Sequence, residues 1–182
     1  IKALSANKSG LTRTEISEAA HIDSGSGLSE MLDDLVACDF IRKYRNGLKK
    51  NGEIYQLMDF YTIFYLQFCA NPSSDQHYWK NTLNSPLQNT WYGLSYERVC
   101  MAHIQEILRA LHLDTIHTEY YSFRSKEISP KVQIDLIIDR SDDFVDIVEI
   151  KYSRIKYEMT REESEKIERR VSRFVSETKT KK

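Results

Sequence analysis

The feature that most constrains this chain is a pair of apolar runs joined by a tight turn. Residues 132–139 and 144–152 are dense in Ile and Val, and Ser141-Asp142-Asp143 lies between them. Short apolar runs of β-branched residues that flank a polar turn are typical of paired β-strands. A third strand-like run at 116–124, a helical pattern at 94–113 and a charged helix at 160–178 complete the region. The predicted order is helix–β–β–β–helix.

Two carboxylates and an ammonium group meet on this predicted hairpin. Side chains alternate between faces along a strand, so Glu149 and Lys151 share a face, and Asp135 lies opposite Ile134 and Leu136. A hairpin can bring Asp135 beside Glu149 in an apolar setting, where like charges repel unless a cation is present. Mg²⁺ or Mn²⁺ removes that conflict, because both ions prefer hard oxygen ligands. Lys151 would then orient a water or stabilise charge on a phosphate, as phosphodiester hydrolysis requires.

The same residues have a plainer interpretation, a solvated Glu–Lys pair on an outer strand face beside an acidic turn. Three features favour a metal site: the Ile- and Val-rich strands, the Asp strand before the Glu-X-Lys strand, and the long helix before both. That helix carries Glu97, within Gly93-Leu-Ser-Tyr-Glu-Arg, as a candidate fourth member of the site. Its predicted inner face comprises Val99, Ile104, Ile107, Leu108 and Leu111.

The N-terminal part of the chain has a different pattern. Thr12 and Glu15 have the spacing of a capping box, which predicts a helix that ends at Ala20. Two strand-like runs, 40–45 and 53–57, flank a loop with Asn-Gly pairs and predict a β-hairpin. Helix-turn-helix followed by a β-ribbon is the winged-helix layout. The helix before the hairpin has a predicted inner face of Leu28, Met31, Leu32, Leu35 and Val36.

Charge limits what this N-terminal region binds. The outward face of the second helix-turn-helix helix is acidic, and acidic side chains oppose a phosphate backbone. That face comprises Ser26, Ser29, Glu30, Asp33 and Asp34. The hairpin is basic, and its candidate nucleic-acid contacts are Lys43, Arg45, Lys49 and Lys50. Docking of a protein is therefore an equal alternative to contact with double-stranded DNA.

Composition adds weaker constraints. The formal net charge of −1 supplies no overall attraction for nucleic acid. Cys38, Cys69 and Cys100 are far apart in apolar, helix-like contexts, which predicts buried free thiols and a reducing, cytoplasmic location. No apolar run approaches the roughly 20 residues that a membrane span requires, so no membrane partner is expected.

The residues of the predicted hairpin resemble those of a known superfamily. Ile134-Asp135-Leu136 and Val148-Glu149-Ile150-Lys151 resemble the PD-(D/E)XK, or restriction-endonuclease-like, proteins, whose core runs helix–β–β–β–helix–β. The resemblance implies that Asp135, Glu149 and the Ile150 carbonyl hold the metal, with Lys151 and Glu97 as catalytic residues. The final strand of that core would follow the last helix, so an α/β core without its last strand is expected.

A closer resemblance covers nearly the whole chain. Motifs beginning at Tyr55, Trp91, Gln133 and Glu149 are similar, in order and spacing, to the C-terminal half of a group of prokaryotic ATPases. Those proteins have an AAA+-type P-loop domain, then a winged helix, then a nuclease-like domain. The resemblance implies a C-terminal fragment of such an ATPase, with the ATPase domain of the same protein as a partner. The chain itself contains no Walker A motif.

The expected fold class is therefore α/β, a winged-helix domain followed by a restriction-endonuclease-like core. The expected domains are a winged helix at 1–58, a helical aromatic-rich linker at 59–90 and the nuclease-like domain at 91–182. Two functions follow from this organisation. One is a metal-dependent DNA endonuclease; the alternative is a non-catalytic DNA- or protein-binding module that regulates the ATPase.

Overall fold

The computed structural model describes residues 1–7, 9–45, 52–70, 73–125 and 132–182. The described chain is mixed α/β, with a two-stranded and a three-stranded antiparallel sheet. It forms two compact units, Ile1–Ser95 and Tyr96–Lys182. Within the described residues, no helix has both the length and the apolar character needed to cross a bilayer.

The first unit begins with three helices and a hairpin, and the last two helices and the hairpin follow the predicted order. These elements are α1 (Lys2–Ala6), α2 (Arg13–Ala20), α3 (Ser26–Ala37), β1 (Ile41–Arg45) and β2 (Glu53–Leu57). Thr12 and Glu15 form the predicted capping box at the start of α2. Leu11 makes an isolated antiparallel bridge to Tyr55, which adds a short third segment beside β2. The predicted turn residues 46–51 lie outside the described residues.

A single hydrophobic core joins these elements. It comprises Leu4, Leu11, Ile16, Leu28, Leu32, Ile41, Tyr55 and Leu57. Leu28 and Leu32 are buried as predicted, and Leu35 and Val36 pack against the core. The prediction for Met31 is wrong, since 48% of it is exposed. Met31 lies at the edge of the stripe that runs through Leu28 and Leu32, where α3 turns toward solvent.

Aromatic residues dominate the rest of the first unit. Asp59 caps α4 (Phe60–Phe64), which continues as a π-helical turn at Tyr65–Cys69, and α5 (Tyr78–Asn81) and α6 (Pro86–Ala102) follow. The rings of Phe64 and Phe68 pack edge-on against Trp79 and Trp91, with centroids 5.3–5.8 Å apart. Burial along these aromatic helices is uneven, since 75% of Tyr61 is exposed.

The three cysteines are free, but the prediction that all of them are buried is wrong. Cys38 and Cys69 are exposed, and Cys100 is half-buried. Cys38 directly follows the last residue of α3, and Cys69 ends the π-helical turn, so neither lies on a stripe that faces a core.

The second unit contains the end of α6 and the predicted helix–β–β–β–helix order. Its elements are α7 (Ile104–Ala110), β3 (Thr118–Arg124), β4 (Gln133–Arg140), β5 (Val145–Val148) and α8 (Arg161–Thr178). The strands form an antiparallel sheet in the order β3-β4-β5. The predicted helix 94–113 is broken at His103, so its apolar stripe does not continue. Val99 and Leu111 are consequently 41% and 50% exposed, against the prediction, whereas Ile104 and Leu108 are buried.

Two hydrophobic clusters flank this sheet. One joins Leu136 and Ile138 to side chains of α6 and α7, namely Met101, Ile104 and Leu108. The other joins Ile134 and Ile137 to side chains of β3 and α8, namely Tyr121, Phe123 and Phe174. The central strand β4 is therefore apolar on both faces, which explains its dense Ile and Leu content.

A β-bulge interrupts β4 at the carboxylate that was singled out from the sequence. Tyr121 pairs with Ile137 and Phe123 with Ile134, so Asp135 and Leu136 together oppose Ser122. The Ser122 hydroxyl donates to the Asp135 carbonyl at 2.9 Å. The extra residue breaks the alternation of faces. The expectation that Ile134 and Leu136 share a face is therefore wrong, because they lie in different clusters.

Candidate metal centre

The end of the β4–β5 hairpin brings together four of the predicted site residues, Asp135, Glu149, Ile150 and Lys151. Leu136 pairs with Val148, so the next antiparallel position sets Asp135 opposite Glu149. The Ile150 N–H donates to Asp135 Oδ2 at 3.0 Å. Strand β5 was predicted to reach residue 152 but ends at Val148. The Asp135–Ile150 hydrogen bond thus fixes Glu149 and its neighbours after the regular strand has stopped.

The Asp135 carboxylate is half-buried and lies among charged side chains. Burial raises its pKa, and the negative charge of Glu149 raises it further. The Ile150 N–H opposes that rise, as do the positive charges of Lys151 and Arg170. The positive charges of Lys151 and Arg170 therefore favour the ionised form of Asp135 against its desolvation.

Glu149 is held between two cations. Only 15% of its side chain is exposed. Lys151 Nζ lies 2.6 Å from Glu149 Oε1, and Arg170 donates to Glu149 Oε2. Each carboxylate oxygen of Glu149 therefore has a charged partner supplied by the protein itself.

Helix α8 places Arg170 at this site. The helix begins at a capping box of Thr160 and Glu163. Near its other end, Phe174 is 2% exposed and packs edge-on against Phe123 at 5.2 Å. Arg170 lies one turn before Phe174, so burial of that ring turns the arginine toward the hairpin.

Sequence reasoning missed this role of Arg170, because α8 is mostly charged and its cationic residues alternate with acidic ones. The available signal is helical spacing. Arg170 lies between Ile167 and Phe174, apolar residues that share one face of the helix. An arginine within the apolar stripe of an otherwise charged helix favours an inward ion pair.

A small cavity of about 80 Å³ adjoins the ion pairs. Its lining mixes cationic, acidic and apolar side chains: Glu149, Lys151, Tyr157, Met159, Glu163, Lys166, Ile167 and Arg170. A hydrogen bond with Glu163 raises the pKa of the Tyr157 hydroxyl and lowers that of the Glu163 carboxyl. The cavity therefore has both donors and acceptors next to the Glu149 carboxylate.

Glu97, the candidate fourth member, lies on α6 and is half-buried. Its charge helps to raise the pKa of the Cys100 thiol, for which burial is the main cause. In the ranges that the structure describes, no three His, Cys, Asp or Glu side chains form a group that could hold a metal ion. The side-chain oxygen donors at the hairpin end are those of Asp135 and Glu149.

The predicted nucleic-acid contacts lie in the first unit. Lys43 and Arg45 are exposed on β1, and Lys43 forms a cross-strand ion pair with Glu53 at 3.5 Å. Lys49 and Lys50 fall outside the described residues. The acidic residues predicted on the outward face of α3 are all exposed, namely Glu30, Asp33 and Asp34.

Comparison of the chain with family models, curated proteins and solved structures yields no match. Assignment of the site therefore depends on its donor chemistry. That chemistry suits a hard divalent cation, since the carboxylates of Asp135 and Glu149 are near enough for their charges to interact and supply hard oxygen donors. Lys151 and Arg170, which each donate to one oxygen of Glu149, would compete with such an ion for this carboxylate.

Proposed function

We propose that the second unit carries a Mg²⁺- or Mn²⁺-dependent phosphodiesterase site of the PD-(D/E)XK type that acts on DNA. The observation that carries this proposal is the meeting of Asp135, Glu149 and Lys151 at the end of one hairpin. Asp135, Glu149 and the Ile150 carbonyl would hold the ion. When bound, the ion would supply an activated water and stabilise charge on the phosphate.

The protein's own residues would position the reaction. The bulge in β4 and the Ile150 N–H orient the Asp135 carboxylate. Lys151 stays beside Glu149 while 43% of its side chain remains exposed, so its ammonium can contact a phosphate from solvent. Glu97 would assist from α6.

The order of elements supports the same assignment. In the second unit, helices precede three antiparallel strands and α8 follows them, which agrees with the start of the superfamily core. In the first unit, three helices and a hairpin support a winged helix. The proposed whole is the C-terminal part of a prokaryotic ATPase, with its ATPase domain as a partner.

Nicking of supercoiled plasmid in the presence of Mn²⁺ tests the catalytic proposal. We expect the wild-type chain to nick the plasmid and Asp135→Asn to lose the activity. Asp114→Asn is the matched control, because Asp114 is an exposed aspartate of the same unit. Equal nicking by all three proteins, or none by any, would contradict catalysis at this site.

A second candidate function is a non-catalytic docking module. The exposed acidic face of α3 favours it, because this face would repel a phosphate backbone. A mobility-shift measurement with duplex DNA across a salt series separates the two. The absence of a shift at low salt would favour protein docking. Binding by a basic hairpin predicts a shift whose salt slope falls by about one in Lys43→Ala.

A further inference from the structure

We propose that Arg170 is a built-in counter-ion that holds Glu149 until a divalent cation displaces it. Metal binding at the hairpin would then be coupled to the release of an arginine of α8. This inference rests on the proposed metal site and adds to it a regulation of metal affinity.

Charge balance is the first step. The cluster contains two carboxylates, those of Asp135 and Glu149, and two cations, Lys151 and Arg170, which contact Glu149 directly. The cluster is therefore close to neutral as it stands. A divalent ion would bring two more positive charges into a place where charge is poorly screened. The ion binds best if one of the protein cations leaves.

Geometry indicates which cation leaves. Lys151 is two residues from Glu149 on the same backbone segment, so its backbone stays close to Glu149. Arg170 belongs to α8, contacts Glu149 across the unit and has 31% of its side chain exposed. Because Arg170 donates to Glu149 Oε2 and Lys151 to Oε1, Arg170 competes with the ion for one of the two oxygens.

A cavity beside the site can accept the released guanidinium. Arg170 lines the cavity of about 80 Å³ that also contains Glu163. Glu163 lies on the same face of α8, two turns earlier. Its carboxylate accepts from Thr160 and Tyr157 and places a negative charge beside the displaced arginine. A change of the Arg170 side chain can thus release Glu149 without movement of the helix.

Mn²⁺ titration of the whole 182-residue chain by calorimetry tests the proposal. We expect Arg170→Ala to bind Mn²⁺ about tenfold more tightly than wild type, since one charge-assisted contact no longer competes. Arg169→Ala is the matched control, because it removes the same charge from an adjacent, exposed position. Arg170→Lys keeps the charge and should restore an affinity within about threefold of wild type.

A second measurement tests the same coupling through the unfolding midpoint instead of the affinity for metal. Arg170→Ala leaves Glu149 with one cationic partner. The unfolding midpoint of this variant without metal should therefore fall below that of Arg169→Ala. Saturating Mn²⁺ should raise that midpoint by more than it raises the midpoint of wild type.

The possible results separate this inference from the proposed function. Binding by wild type that Asp135→Asn abolishes, with Arg170→Ala no tighter than Arg169→Ala, would overturn the counter-ion role and leave the metal site intact. Binding by Arg170→Ala alone, lost again when Asp135→Asn is added, would support the counter-ion role strongly. If neither wild type nor Arg170→Ala binds Mn²⁺, the metal site and the inference both fail.

Discussion

Replacement of Phe174 by alanine should separate α8 from the sheet and disturb the site at a distance. Phe174 is the one residue of α8 that is fully buried, and its ring packs edge-on against Phe123 with centroids 5.2 Å apart. Truncation of a buried Phe costs about 3–5 kcal/mol, of which the aromatic pair supplies about 0.5–1.5. For a unit of this size, about 3 kcal/mol lowers the melting temperature by roughly 12 °C or more.

The assay is urea unfolding of the chain, combined with hydrogen exchange of the peptide that spans α8. We expect Phe174→Ala to lose protection throughout α8 and, with it, the Arg170–Glu149 contact. Val175→Ala is the control, because Val175 is the next residue and is 43% exposed, so its loss should cost no more than about 0.5 kcal/mol. Similar unfolding free energies for the two variants would refute the argument that one buried ring positions the helix.

Other predictions concern backbone, ionisation and capping. Gly10→Ala should destabilise the first unit by about 2–4 kcal/mol in urea unfolding, because φ is +76° and a Cβ would lie 2.6 Å from the Tyr55 carbonyl oxygen. Gly27→Ala, in a helix with no atom near the added Cβ, should instead stabilise by about 0.4–1 kcal/mol; the same sign for both would contradict this reasoning. Burial, with the charges of Asp139 and Glu119, raises the pKa of Tyr121 to about 12 from 10.0. Since the unfolded chain ionises first, the free energy of unfolding should fall as pH rises through this window, and Tyr121→Phe should remove that part of the fall. Thr160→Ala should cost about 1 kcal/mol by circular dichroism melts, and an unchanged melt would show that the capping box of α8 adds no stability.

Local signals predicted much of the fold because they act within a few residues. The capping box at Thr12 begins the helix that follows it, and the paired runs at 132–139 and 144–152 form the predicted hairpin. Which side chains face the core was predicted less well. Met31, Val99 and Leu111 have helical spacing but are exposed, because the position of a core and a break at His103 are not local properties.

The candidate site shows the same division. The spacing of Asp135 and Glu149 across a short turn predicted their approach, since antiparallel register follows from the turn. The bulge opposite Ser122 could not be predicted, because an extra residue in one strand is set by packing on both faces of the sheet. Arg170 was missed for a related reason, because its partner is distant in sequence and only the packing of α8 brings the two together.

The sequence by itself therefore determined the elements and their order, because capping, periodicity and turn chemistry are local. It also determined that Asp135, Glu149 and Lys151 meet, because all three lie on one hairpin. Tertiary structure alone decided how those charges are balanced. Burial of Phe174 against Phe123 turns Arg170 toward Glu149, and a contact of that kind depends on two surfaces that fold separately and then pack.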